Sequence, residues 1–204
     1  MVGRTILLAG LAVVVSSMLV LFSIPSGYFV AATFVSTSCM IAASVLIWHP
    51  RTRLKLKIVA VGAGLVSACL LYLVFFAGAL ALKALIPGYS AVSEGSIYSL
   101  IASPSNPLPL QVGVLLFDAV GYESFFRGVL QKHLQPKMGV AAAPTIALFD
   151  AMIHLATFNL IWVATTFVAD LVWGLTYYFG RGFQASFTSH FIWDLAIFTI
   201  RPII

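Results

Sequence analysis

Residues 58–86 read IVAVGAGLVSACLLYLVFFAGALALKALI, and the single charge in this run is Lys83. As a helix rising 1.5 Å per residue, the run is longer than the roughly 30 Å hydrocarbon core of a bilayer. A stretch this apolar has no soluble alternative. Comparable runs recur on either side of it, and seven candidate spans emerge: about 5–23, 28–48, 58–86, 108–132, 142–157, 159–179 and 184–200. Their apolar residues run continuously instead of alternating with polar ones, which disfavours a β-barrel. The expected fold class is all-α, a polytopic membrane helical bundle around a polar intramembrane cavity.

Composition agrees. The chain is 61% hydrophobic and only 8% charged, with a mean hydropathy of +1.06, whereas soluble domains are about one-quarter charged. One transmembrane domain over residues 1–204 is expected, with variable N-terminal helices and a loop over 1–107 and a core over 108–200. The first span follows a short basic front, MVGR. Its apolar run exceeds that of a signal peptide and no convincing cleavage site follows, so it is read as a retained helix. Cys39 and Cys69 lie in apolar segments without a disulfide or metal spacing.

The net charge of +5 does not point to nucleic acid, because the basic residues are not gathered on a soluble face with interleaved aromatics. They mark topology. Arg4, Arg51, Arg53, Lys55, Lys57, Lys132, Lys137 and Arg181 share one side of a seven-span arrangement, and Lys83 with Arg201 lie near the other. The first side is expected to be cytoplasmic, which puts the N-terminus inside and the C-terminus outside. The longest connection, Ile86 to Pro109, is rich in Pro, Ser and Gly and lacks Lys and Arg. It fits an extracytoplasmic loop, plain or with a short interfacial helix near Ile97–Ile101.

Of six acidic residues, Asp118, Glu123, Asp150, Asp170 and Asp194 fall inside predicted spans, and Glu94 does not. An ionised carboxylate at the centre of a membrane helix costs on the order of 2.5–3.5 kcal/mol on insertion scales. Five of them require a polar interior. His154 and His190 join them, while His49 and His133 flank basic loops as ordinary interface residues. Counting inward along the helices puts Glu123, His154, His190 and Asp194 at similar depths, about 10–17 Å, if the fifth span starts near Pro144.

Glu123 with Arg127, Asp150 with His154, and His190 with Asp194 are each four residues apart, hence on one face of their helix. Glu123 and Arg127 also fit a plain buried ion pair, and Asp150 fits a residue that only fixes the tautomer of His154. Asp170 fits helix packing or a cavity wall, and Asp118 fits the cavity mouth. The many Phe and Trp residues read as lipid-facing or packing groups.

YESFFRGVLQ (122–131), ALFDAMIHL (147–155) and SHFIWDL (189–195) resemble the EExxxR, FxxxH and HxxxN/D motifs of the CAAX-protease and bacteriocin-processing (CPBP, or Abi) family of glutamic-type intramembrane proteases. The resemblance covers about residues 108–200. It implies hydrolysis of a peptide bond within the membrane by a water activated by a carboxylate and His154. His190 and Asp194 would stabilise the oxyanion, and Arg127 would hold the carboxylate. No cofactor and no metal is implied. The implied partners are the bilayer and a membrane-anchored or lipidated protein substrate, and a prokaryotic inner (plasma) membrane is the location expected.

Two positions depart from the family. Tyr122 stands at the first glutamate of EExxxR, and a phenol with a pKa near 10 is a poor base. Asp150 stands four before His154, where the family has Phe. Three arrangements fit: Glu123 acts as the base after a modest helix rotation, Asp150 or Asp118 replaces the missing carboxylate, or the chain is a non-catalytic relative. Two further classes of function compete with a protease. One is a non-enzymatic membrane scaffold or bacteriocin-immunity protein. The other is a metal or proton transporter, although no inverted halves or matched broken helices are visible.

Overall fold

A computed structural model describes residues 4–47, 57–101, 106–180 and 182–200. Nine α-helices run through them: α1 (Arg4–Ser23), α2 (Phe29–Ile47), α3 (Ile58–Leu85), α4 (Pro87–Ile101), α5 (Leu108–Phe125), α6 (Lys132–Met138), α7 (Ala142–His154), α8 (Leu160–Phe179) and α9 (Phe183–Leu195). No strand occurs among the described residues. Five helical stretches are long and apolar enough to cross a membrane: Thr5–Ser23, Phe29–Ile47, Ile58–Leu85, Leu108–Thr157 and Leu160–Phe179. The fourth contains two of the expected spans, divided near α6. The chain is an all-α polytopic integral membrane protein.

α9 packs against α3, α5 and α8; α7 packs on α8; and α2 lies between α1 and α5. Without water to drive apolar faces together, helices in a bilayer associate through close backbone approach and interhelical hydrogen bonds. Both occur here. A Cβ added at Gly121 would lie 2.5 Å from Thr37 Cγ2 and 3.0 Å from the Thr37 carbonyl, so glycine sets the α5–α2 separation. At Gly174 it would lie 2.9 Å from Ala143 Cβ, which does the same for α8 and α7. A hydroxyl relay joins three helices: Ser189 donates to Ser67 at 2.9 Å, Ser67 and Thr176 are 2.6 Å apart, and Thr176 donates to the Val172 carbonyl at 2.7 Å. It fixes α9 beside α3 and α8 one residue before His190.

Three features differ from the sequence expectation or refine it. The Ile86–Pro109 connection contains a 15-residue helix, Pro87–Ile101, much longer than the short segment expected near Ile97. Pro87 at its first position has a φ suited to a helix and no N–H to leave unpaired. Asn159, on the α7–α8 connection, donates to the Ser93 carbonyl and to Ser96 Oγ, both at 3.1 Å. The same Asn159 accepts from Trp162 N at 3.0 Å and so caps α8.

Next, α7 begins at Ala142 with Pro144 in its first turn, and ends at His154 before a 3₁₀ turn, Leu155–Thr157. Finally, both α5 and α9 continue as π-helix, over Phe126–Gln131 and Ala196–Ile200, directly after their motif acids. Such wide turns shift the register of the side chains that follow and are frequent at functional sites. Of the two cysteines, Cys39 is half-buried and Cys69 is exposed on the bundle surface. Arg51, Arg53, Lys55, Arg181, Arg201 and His49, which entered the topology argument, lie outside the described residues, as do residues 102–105 of the connection.

Candidate active site

The three spaced pairs each come into contact. Arg127 Nε lies 3.7 Å from Glu123 Oε2, His154 Nδ1 lies 3.6 Å from Asp150 Oδ1, and His190 Nε2 lies 3.3 Å from Asp194 Oδ2. Glu123, Arg127, Asp150 and Asp170 are completely buried, and Tyr122, His154, His190 and Asp194 nearly so. These eight side chains come from α5 and its π-helical extension, α7, α8 and α9. Their packing brings distant motifs together.

One part of the cluster is closed on itself. The Arg127 guanidinium pairs with the Asp170 carboxylate, donates to the Asp170 carbonyl at 2.9 Å and reaches Gln131 Oε1 at 3.3 Å. Gln131 in turn donates to the Gly174 carbonyl at 2.8 Å. Arg127 and Gln131, four apart on the extended α5, thus match Asp170 and Gly174, four apart on α8. A planar fork with five donors suits this arrangement in a way that a lysine does not. Glu123 completes it from the other side: Oε1 accepts from His190 Nδ1 at 3.0 Å, and Oε2 faces Arg127.

The other part opens on space. A cavity of about 600 Å³ is lined by Asp118, Tyr122, Asp150, His154, His190 and Asp194 together with mainly apolar groups, among them Phe22, Met40, Phe75, Trp162, Trp173 and Trp193. Helices α1, α2, α3 and α4 all contribute to its wall. The first half of the chain therefore supplies part of the apolar wall, and the second half supplies the rest of it with all of the carboxylates and histidines. Among the described residues Glu123, Arg127 and Asp170 are not part of this wall.

Local bonds orient the cavity side chains. His154 Nδ1 lies 3.0 Å from the Asp150 carbonyl. A carbonyl only accepts, so the ring donates from Nδ1 and keeps Nε2 as an acceptor. Asp150 Oδ2 takes the Tyr122 hydroxyl, which also lies 3.0 Å from Asp170 Oδ1. Asp150 Oδ1 has no hydrogen-bond partner among the described residues. Asp118, half-buried, accepts from Thr37 Oγ1 at 2.8 Å. The indole of Trp173 stacks on His190 with ring centroids 3.6 Å apart and planes 11° from parallel.

All nine residues singled out from the sequence lie in this region; six face the cavity, and Glu123, Arg127 and Asp170 stand behind them. Four residues that shape it went unread: Trp173, Gln131, Thr37 and Asn159. Gln131 had a signal, since it extends the Glu123–Arg127 spacing by one more turn. Trp173 had a weaker one, three residues after Asp170. Nothing in the sequence pairs Thr37 with Asp118 across 81 positions. Among the described residues no group of three or more His, Cys, Asp and Glu side chains is arranged to hold a metal ion.

Residues 104–196 match a family model described as type II CAAX prenyl endopeptidase, Rce1-like. No curated protein and no solved structure matches the chain. The matched segment starts just before α5 and ends just after α9, so it takes in every motif residue and leaves out α1–α4. It supports the CPBP/CAAX protease family, the family that the motifs resemble.

Proposed function

From the CPBP/CAAX protease family of residues 104–196, we propose that the chain is an intramembrane endopeptidase that hydrolyses a peptide bond near the C-terminal or membrane-anchored segment of a protein substrate. The observation that carries this reading is the convergence of His154 from α7 and His190 from α9 on one cavity, each beside a carboxylate. A cavity with one polar end and long apolar walls suits a peptide that reaches the site while its anchor stays in an apolar surrounding. The chain acts as one transmembrane domain, with its N-terminus cytoplasmic, in a prokaryotic inner (plasma) membrane.

In the proposed reaction a water held by His154 Nε2 and a carboxylate attacks the scissile carbonyl. His190 holds Glu123 through Nδ1 and turns its Nε2–H, 3.3 Å from Asp194, towards the oxygen on which charge develops, with Asp194 orienting the ring. Glu123 acts through His190, and Arg127 holds Glu123 and Asp170 in place. Donors fixed in advance in a site with little water stabilise developing charge more than solvent does, because they need not reorganise during the reaction.

The test is cleavage of a membrane-anchored fluorogenic peptide by the full chain in proteoliposomes. His154→Ala and His190→Ala are each expected to lower kcat by about 10²–10³-fold, within the usual contribution of a positioned acid or base. Parental rates in both variants would end the protease reading. The buried Tyr122, tied to both Asp150 and Asp170, favours a second reading as a non-catalytic membrane scaffold or immunity protein. Under that reading the double variant His154→Ala/His190→Ala rescues a deletion phenotype as well as the parent does.

A further inference from the structure

Four carboxylates compete for the role of base, and their surroundings differ. Glu123 accepts from His190 through Oε1 at 3.0 Å and turns Oε2, which has no hydrogen bond among the described residues, towards Arg127 at 3.7 Å, so both oxygens face away from the cavity wall, of which it is no part. Asp194 lies 3.3 Å from His190, and Asp118, one turn before Tyr122 on the cavity wall, accepts from Thr37 at 2.8 Å. Asp150 alone combines three properties. It lines the cavity, it sits one helical turn before His154, and its Oδ1 is buried without a hydrogen-bond partner among the described residues. A buried carboxylate oxygen without a hydrogen bond costs about 1–3 kcal/mol or more, a cost that a water bonded to it offsets.

We infer that Asp150 is the carboxylate that takes the proton of the attacking water beside His154, in place of a glutamate on α5. The inference rests on the protease reading above. Tyr122 makes the exchange intelligible. It stands on α5 where the family motif has its first glutamate, and its hydroxyl holds Asp150 Oδ2, which leaves Oδ1 for the water. The carboxylate has moved from one helix to its neighbour while remaining at the same junction, and the phenol occupies the volume it left.

The step balances. As the water oxygen bonds to the scissile carbonyl carbon, one water proton passes to Asp150 Oδ1 and the carbonyl π pair moves onto oxygen. Collapse of the tetrahedral adduct breaks the C–N bond, and the proton held by Asp150 goes to the leaving nitrogen. The products are a carboxylic acid and an amine.

The experiment compares Asp150→Asn, Asp150→Glu, Glu123→Gln and the exchange variant Tyr122→Glu/Asp150→Phe in the full chain, using the same anchored peptide in proteoliposomes. Unfolding midpoints check each fold. Asp150→Asn is expected to lose about 10³-fold in kcat with KM little changed, and Glu123→Gln about tenfold. Asp150→Glu and the exchange variant are expected to recover at least about tenfold over Asp150→Asn, because each returns a carboxylate to the junction. The exchange also trades volume between two touching side chains, which limits overpacking.

A folded Asp150→Asn variant within about threefold of the parent, with His154→Ala and His190→Ala inactive, overturns the inference and leaves the protease reading standing. If the two histidine variants match the parent, or the parent itself cleaves nothing, both fall. Should Asp150→Asn fail to fold, the exchange variant decides: folded and active supports the inference, folded and inactive overturns it.

Discussion

Arg127, Glu123, Asp170 and Gln131 form one polar cluster, and Asp118, Asp150, His154 and Asp194 form another a few side chains away. Both contain carboxylates, and His190 joins them. In the first, one guanidinium and one amide engage two carboxylates and two backbone carbonyls across α5 and α8. In the second, all four side chains line the cavity and are held by few contacts, such as Thr37 on Asp118 and the Asp150 carbonyl on His154. The difference separates two uses of charge in a membrane. The set closed off from the cavity fixes how helices meet, and the set open to it is placed to meet a water and a substrate.

The largest expected effect falls on the closed set. Arg127→Met leaves Glu123 and Asp170 as buried anions without their cation, at a cost of about 3–5 kcal/mol. Thermal unfolding in detergent measures it, and Arg127→Lys is expected to recover only part of the loss. An unchanged midpoint in Arg127→Met would erase the distinction drawn between the clusters. The open set responds in the opposite manner. His154→Ala is expected to cut kcat by about 10²–10³-fold, roughly 3–4 kcal/mol of transition-state stabilisation, while the unfolding midpoint moves little. A large fall in stability there would show that His154 belongs with the structural groups.

Gly174→Ala is a smaller perturbation of the frame on which both clusters sit. Its new Cβ would lie 2.9 Å from Ala143 Cβ and 3.2 Å from Gln131 Oε1. Separating α7 from α8 to admit it is expected to destabilise by about 1–3 kcal/mol, read by unfolding midpoint. Activity is expected to fall as well, because α7 carries Asp150 and His154.

The smallest effect is predicted at Asn159→Asp. The carboxylate still caps α8, but the two donations to α4 are lost and Ser93 O faces an anion. A change of about 1 kcal/mol is expected. Faster labelling of a cysteine placed at Ile97 on α4 reports the loosened contact. An unchanged labelling rate would show that Asn159 does not tether α4.

Much of this organisation was already legible. Long runs such as residues 58–86 have one stable outcome in a bilayer, a helix with every backbone group bonded internally. Acids and histidines cannot face lipid cheaply, so their spacing of four on three helices announced a shared interior. The helix at Pro87–Ile101 was harder to see, because Ser, Gly and Pro lower local helix propensity and the bonds from Asn159 and to Tyr89 come from far along the chain. The Trp173–His190 stack and the Thr37–Asp118 bond were hidden for the same reason.

The sequence by itself determined that the chain is a helical membrane bundle and which side chains must avoid lipid, because hydropathy and helical periodicity are local properties. Which of those side chains face one another was decided by tertiary structure alone. Glu123 and Asp150 are both carboxylates, both completely buried and both left with one oxygen lacking a hydrogen bond among the described residues, yet Glu123 sits behind the cavity wall between Arg127 and His190 while Asp150 is part of that wall. That contrast comes from how α5, α7, α8 and α9 pack and from the π-helical turn that sets Arg127 against Asp170.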